Sequence, residues 1–222
     1  PSTQTVTHMP EFFGDTILVN GKAWPVQTVE PRPYRVRLLN GSDSRFYNLR
    51  LLPEATIRTI TSLNAQALRF PALAAAITRL ITLAINSTAV PFWQIGTELG
   101  ILNNPVRLRN IVFGPGERED LVIDFSALNG GTFVFFNDAG TPFPDGAPTP
   151  IGSGPDQIMA FKVNVPLNAA VPRSRALATT TNLRPVPVAL SSLAARSGVA
   201  RGSCAPHRIS CRSNERLHLY RS

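Results

Sequence analysis

The chain has 222 residues, 43% hydrophobic and 16% charged, with a formal net charge of +8. That charge is unevenly spread: residues 1–165 hold 13 Lys/Arg against 13 Asp/Glu, whereas residues 166–222 hold nine arginines against Glu215 alone. Both cysteines, Cys204 and Cys211, lie in the basic tail, and His8, His207 and His218 are the only histidines, which excludes a disulfide scaffold and a histidine-rich metal enzyme for the body.

The chain opens on Pro1 without a signal-like apolar stretch and is expected to be a fragment or a processed product. From there the body reads as short strands between turn residues. Thr16 to Asn20, then Gly21 and Ala23-Trp24, form a hairpin signal, because Asn-Gly takes the positive φ of a tight turn. Tyr34 to Leu38 alternates apolar and basic residues, the period of a half-buried strand. After Asn40-Gly41, Phe46 to Leu52 places Tyr47, Leu49 and Leu51 on one face. Residues 107–113, 120–125, 132–137 and 158–163 continue the series, separated by Gly114-Pro-Gly116, Asn129-Gly-Gly131 and a Pro/Gly-rich loop over 138–155. The pattern predicts an all-β, Greek-key β-sandwich.

Two stretches depart from it. Ala65 to Ile85 is rich in Ala, Leu and Ile and predicts a helical insertion packed on the sheet, with Pro71 setting a start near residues 70–72. Its most apolar window, Leu73 to Ile85, contains Arg79 and is shorter than the roughly 20 residues of a bilayer span, so no membrane span is expected. Beyond Pro166 the periodicity fades. Pro185-Val-Pro187 reads as linker, and the Arg/Ser-rich remainder is expected to be disordered.

No residue set of this chain carries a catalytic motif. Gly114-Pro-Gly-Glu-Arg118 precedes a strand, whereas phosphate loops open a helix, so it reads as a structural turn. Glu117, Glu119, Asp120 and Asp124 cluster without the facing geometry of an acid/base pair, and Asp120 and Asp124 are expected to face solvent. No Gly-x-Ser-x-Gly elbow is present, and a Ser-His-Asp triad would have to recruit His8 from a loop. Cys204, His207, Cys211 and His218 match no finger or knuckle spacing and do not make a blue-copper set. The tail arginines lack interleaved aromatics, so specific nucleic-acid binding is not expected. Asn40-Gly-Ser42 and Asn86-Ser-Thr88 fit the glycosylation triplet. If a basic face exists on the body, Arg35, Arg37 and Arg50 are its candidates.

Read as strings, several blocks resemble one family. Pro10-Glu-Phe-Phe-Gly-Asp-Thr-Ile-Leu-Val-Asn-Gly-Lys-Ala-Trp-Pro25 is similar to the opening of the middle domain of multicopper oxidases. The nearest subgroup contains bilirubin oxidase, the spore-coat laccases and phenoxazinone synthase. The likeness continues through Val29 to Ser42, Arg45 to Leu51, Phe92 to Thr97, Gly114 to Phe125, Asn137 to Pro144 and Ile158 to Val163. Glu98-Leu99-Gly100 departs from the family's usual Asp-Gly-Gly. Residues 55–90 have no counterpart in it; a true insertion and an unspliced or misread stretch both fit. The tail fits a natural basic extension, a shifted reading frame or a decayed gene.

The resemblance implies a cupredoxin-like domain over 1–165, with a linker and basic tail over 166–222. It implies a parent oxidase that takes single electrons from phenolic or pyrrolic substrates at a blue copper and passes them to a three-copper cluster that reduces O2 to water. It also implies flanking cupredoxin domains as partners, a small aromatic substrate, and an extracellular, periplasmic or spore-coat location. The family's His-x-His and His-Cys-His copper blocks are absent here, so no catalytic, cofactor-binding or metal residue is assigned, and the isolated chain is not expected to be catalytic. The alternative is a copper-free structural relative acting as an interaction module.

Overall fold

The computed structural model describes residues 11–170, Leu177, Leu183 and, as backbone, the strand Arg216–Arg221. His8, Cys204, His207, Cys211 and most of the tail expected to be disordered lie outside the described residues.

The strands in chain order are β1 (Leu18–Val19), β2 (Lys22–Ala23), β3 (Val26–Val29), β4 (Pro33–Asn40) and β5 (Tyr47–Pro53). Two helices follow, α1 (Glu54–Arg69) and α2 (Ala74–Thr88). Then come β6 (Phe92–Thr97), β7 (Gly100–Leu108), β8 (Ile111–Phe113), β9 (Arg118–Asp124), β10 (Thr132–Asn137), β11 (Gly140–Thr141), β12 (Ala147–Pro148), β13 (Gln157–Val163) and β14 (Arg216–Arg221). One sheet runs β2-β1-β14-β4-β9-β6-β7 and the other β3-β13-β10-β5-β8, with β11 and β12 as a separate pair. This is a cupredoxin-like β-sandwich carrying a helical insertion.

Alternation dictates the main core. Val36 and Leu38 from β4, Leu121 and Ile123 from β9, and Phe92 from β6 meet Tyr47, Leu49 and Leu51 from β5 and Phe133, Phe135 and Phe161 from β10 and β13. Phe135 sits edge-on to Phe161 with ring centroids 5.3 Å apart. The β1–β2 turn forms as Asn-Gly predicts: Asn20 has φ 58° and Gly21 φ 80°.

Three readings of the sequence change. The stretch 107–113, read as one strand, is two strands in different sheets, because Arg109-Asn110 turns the chain. There Asn110 Nδ2 donates to Asn48 Oδ1 at 2.9 Å and Arg109 Nη1 donates to the Ala89 carbonyl at 3.0 Å, which fixes the crossover. The insertion is two helices rather than one starting near Pro71. Thr and Ser at 56, 59, 61 and 62 mask α1 by propensity, but its Ile57 and Ile60 recur at helical spacing and are buried. Phe70 leaves the helical region because it precedes Pro71, and a 3-10 turn over Pro71–Leu73 leads into α2. Lastly, Arg216–Arg221, inside the tail read as disordered, is the strand β14, parallel to β1 and antiparallel to β4. Its alternation of Leu217 and Leu219 with polar and aromatic residues supplies the strand period.

The helical hairpin packs on the outer face of the five-stranded sheet. Ile57 and Ile60 of α1 and Ile77, Ile81 and Ile85 of α2 cover Leu52, Val134 and Phe136, forming a second, smaller core. Its two ends meet at the sheet, where Val90 N–H donates to the Leu51 carbonyl at 2.8 Å.

Candidate functional site

The acidic cluster of the sequence falls on β9 and the turn before it, and the structure divides its members among separate tasks. In the β4–β9 register, Asp120 lies opposite Arg37. Arg35 Nε donates to Asp120 Oδ1 at 2.9 Å, its Nη2 bonds Oδ2, and Arg37 Nε lies 3.7 Å from Oδ2. The Asp120 side chain is only 15% exposed. The expectation that it faces solvent is therefore corrected: it is covered by the two arginines, and its hydrogen bonds and charge raise the pKa of Arg35. Asp124 is exposed as expected, and accepts the Ser126 N–H at 2.9 Å.

Glu119 holds its proton more tightly than a free carboxyl does. Burial pushes it up to about 7; the Gln94 amide, donating to Oε2 at 2.7 Å, opposes the rise, and Glu117 and Glu98 add to it. A groove of about 290 Å³ runs past it, lined by Arg37, Leu38, Leu39, Thr97, Arg118 and Asp120. No second carboxyl of the cluster is free to work with Glu119: Asp120 holds Arg35, Asp124 accepts the Ser126 N–H and Glu117 the Gly114 N–H, and nearby Glu98 holds Arg118. The groove can hold a proton near neutrality but does not contain an acid/base pair.

The glycine turn is structural. Gly114 N–H points at Glu117, and Gly116, at φ +83°, donates to the Asn40 carbonyl at 2.8 Å. Asn40 N–H returns a bond to the Glu117 carbonyl at 3.1 Å. The amides that would cradle a phosphate are thus used to clamp the end of β4.

Several buried polar residues in and beside the family-like strings are clamps of the same kind. Buried Asn40 donates from Nδ2 to the Arg45 carbonyl at 2.8 Å and accepts the Ser42 N–H at 3.0 Å. Buried Arg45 reaches the Gly14 carbonyl at 2.8 Å and Thr141 Oγ1 at 3.2 Å. Asn137 Oδ1 accepts the Asn48 N–H at 3.0 Å, and Asp156 accepts the N–H groups of Gly152 and Gly154 at 2.7 and 3.1 Å. Asn40 is therefore no glycosylation acceptor in the folded chain, whereas Asn86 is exposed. Arg50 is also engaged, bonding Asp138 at 3.2 Å and Asn86 Oδ1 at 3.2 Å. Arg35, Arg37 and Arg50 thus all face a carboxylate and do not form a free basic face.

A second groove, about 490 Å³, opens beside the hairpin's base between Trp24, Val26, Glu54, Val134 and Ala160. Trp24 adopts φ +41°, and its indole N–H donates to the Gly154 carbonyl at 3.1 Å.

With this geometry in place, the comparisons with known proteins relate the chain to one family. No protein-family model matches the chain. The laccase of Bacillus subtilis is 34% identical over 167 residues, covering 75% of this chain and 25% of that protein. Over about three quarters of its length the chain is similar to multicopper oxidases. The multicopper oxidase LPR1 homolog 3 of Oryza sativa subsp. japonica is 33% identical over 70% of this chain and 23% of its own, and the bilirubin oxidase of Albifimbria verrucaria is 29% identical over 68% and 21%. The crystal structure of McoA, a multicopper oxidase from Aquifex aeolicus, superposes with a TM-score of 0.52 at 26% identity, covering 81% of this chain and 31% of that one. The chain spans about a quarter of the length of the curated multicopper oxidases it matches.

The family implies copper for the full-length protein. The residues described here do not fit it: among them no group of three or more His, Cys, Asp or Glu converges to hold a metal ion, and borderline metals need such imidazole or thiolate sets. Among the described residues, no helix is long and apolar enough to cross a membrane. The Arg35–Asp120 pair and the half-buried Glu119 were not legible in advance, since they depend on the β4–β9 register, which no local motif specifies.

Proposed function

We propose that the chain is the non-copper, middle domain of a copper-dependent oxidase whose substrates are phenolic or pyrrolic and whose acceptor is O2, reduced to water. In this reading residues 1–165 form the domain and residues 166–222 the linker and tail. The observation that carries it is a division of labour within the matched strings. Four of their buried polar residues, Asn40, Ser42, Arg45 and Asn137, are engaged in holding loops to the sandwich. None of them presents a donor to a ligand. A domain whose buried family-like polar residues serve its shape contributes rigidity and position to neighbours that carry the metals, which supports flanking cupredoxin domains as the partners. The scaffold reading also agrees with the quarter-length match.

Metal analysis of the purified chain after copper loading and desalting tests it. The expected result is no stoichiometric copper and no oxidation of a phenol or of bilirubin. One or more tightly held ions per chain would overturn it.

A further inference from the structure

Among the described residues, nothing covers a second apolar stripe of the hairpin. On α2, Ile77, Ile81 and Ile85 face the sheet and are buried. Leu73, Ala76, Leu80 and Leu83 recur at the 3-4-3 spacing of another helical face. Leu73 is 56% exposed, Leu80 52% and Leu83 64%; at the hairpin tip Leu68 is 77% and Phe70 48% exposed. Five large apolar side chains open on one hairpin is more than scattered surface exposure, which marks an interaction surface.

Charge indicates what covers it. Between Glu54 and Glu98 the sequence holds no acidic residue, while Arg58, Arg69 and Arg79 lie on the hairpin. Arg58 is paired with Glu54 at the base, which leaves Arg69 and Arg79 as the cations beside the apolar stripe. Arg69 lies over the Phe70 ring, 5.3 Å from its centroid. A second copy of the hairpin would bring only more arginine to Arg79, next to Leu80, with no carboxylate to meet it. An anionic surface with an apolar interior complements both features, since basic amphipathic helices bury their Leu and Phe below lipid headgroups and hold Arg at the headgroup level.

We propose that the hairpin tip, Leu68 to Leu83, docks on a membrane surface that carries anionic lipid. Its Leu and Phe side chains enter the headgroup–acyl boundary, and Arg69 and Arg79 meet the lipid phosphates. The sandwich stays outside, attached through the buried stripe of α2.

Flotation of the full chain with vesicles of phosphatidylcholine, with and without phosphatidylglycerol, tests this, in salt high enough to screen the basic tail. The expected result is co-flotation with the anionic vesicles that persists in that salt. The exposed triple substitution Leu68→Ser/Phe70→Ser/Leu73→Ser should weaken it by about tenfold or more, in proportion to the apolar area removed. A separate variant, Arg69→Glu/Arg79→Glu, leaves the apolar stripe intact and should abolish the preference for phosphatidylglycerol. No flotation, or flotation unchanged by both variants, would overturn the proposal. So would a doubled mass in solution that the triple substitution returns to that of one chain, because the face would then be a contact between copies.

Discussion

The sandwich and its helical hairpin bury apolar residues by different means. In the sandwich, two sheets meet across a core of interleaved aromatics, in which Phe125, Phe133, Phe135 and Phe161 touch ring to ring. Buried polar clamps hold the loops beside that core, Asn40 and Arg45 at one loop cluster and Asn137 and Asp156 at another. The hairpin has a single thin layer of isoleucines against one sheet face and no buried charged clamp within its core. Its side-chain hydrogen bonds are mostly Thr hydroxyls returning to carbonyls four residues back, as at Thr59, Thr61, Thr78 and Thr82, which satisfy the hydroxyl without tying the helix to anything else. The lesson is that the sandwich is fixed by many independent constraints, the hairpin by one buried stripe.

The largest expected effect contrasts the two cores directly. Phe135→Ala removes a ring with no exposed surface at the centre of the aromatic core, and the surrounding sheets cannot collapse into the space. The expected loss is about 3–5 kcal/mol in urea unfolding. Ile81→Ala, in the hairpin's layer and slightly exposed, should cost about 2 kcal/mol, the low end for its class, because a helix resting on a sheet can settle into the gap. Equal costs for the two would mean that the hairpin is as integral to the fold as the sheets.

A second experiment removes the hairpin altogether. Its ends are brought together at the Leu51–Val90 bridge, so a short Asn-Gly turn from Pro53 to Ala89 can replace it without moving β5 or β6. The shortened chain should lose the helical circular dichroism signal and still unfold in one cooperative step, with a smaller drop in stability than Phe135→Ala gives. Exposing Leu52, Val134 and Phe136 should also lower its solubility. A chain that no longer folds would show that the second core nucleates or locks the first.

What the sequence made legible follows the same division. Strands bounded by Asn-Gly or Gly-Pro-Gly were placed correctly, as at β1, β4, β5, β9 and β10, because alternation and turn chemistry are local signals. The family strings were legible for the same reason: Asn40, Gly41 and Ser42 are a turn together with its clamp. The crossover at Arg109-Asn110 was missed, since only its tertiary partners, Asn48 and Ala89, turn a continuous apolar run into two strands. The insertion was read as helical, but only Ala65 to Ile85 carried a legible pattern, because the earlier part of α1 exposes Thr, Ser and Asn, which disguise an isoleucine stripe. Of the chemistry, the absence of copper motifs could be read, but Glu119's raised pKa could not. It arises from burial of the β9 carboxyl between β4 and β6, against the opposing Gln94 hydrogen bond, and that burial depends on the fold.

Glu119 also offers the smallest and most specific test, this time on the sandwich alone. Its carboxyl is raised from 4.5 to about 7, chiefly by burial. A carboxyl raised in the folded state favours folding while it keeps its proton. The contribution is fully present below the unfolded value of 4.5 and is lost as pH rises through about 7. Glu119 is only half-buried, so solvent screens much of this difference, and the stability lost between pH 5 and pH 8 should be about 1 kcal/mol or less. Glu119→Gln carries no titrating proton, and its amide oxygen can still accept the Gln94 hydrogen bond. At pH 5 the variant and the parent should unfold together, and at pH 8 the variant should be the more stable of the two. The hairpin supplies no group that could mimic this, because it has no acidic residue beyond Glu54 at its base. A stability difference that stays constant from pH 5 to pH 8 would show that Glu119 is ionised throughout, with the groove beside it open to water.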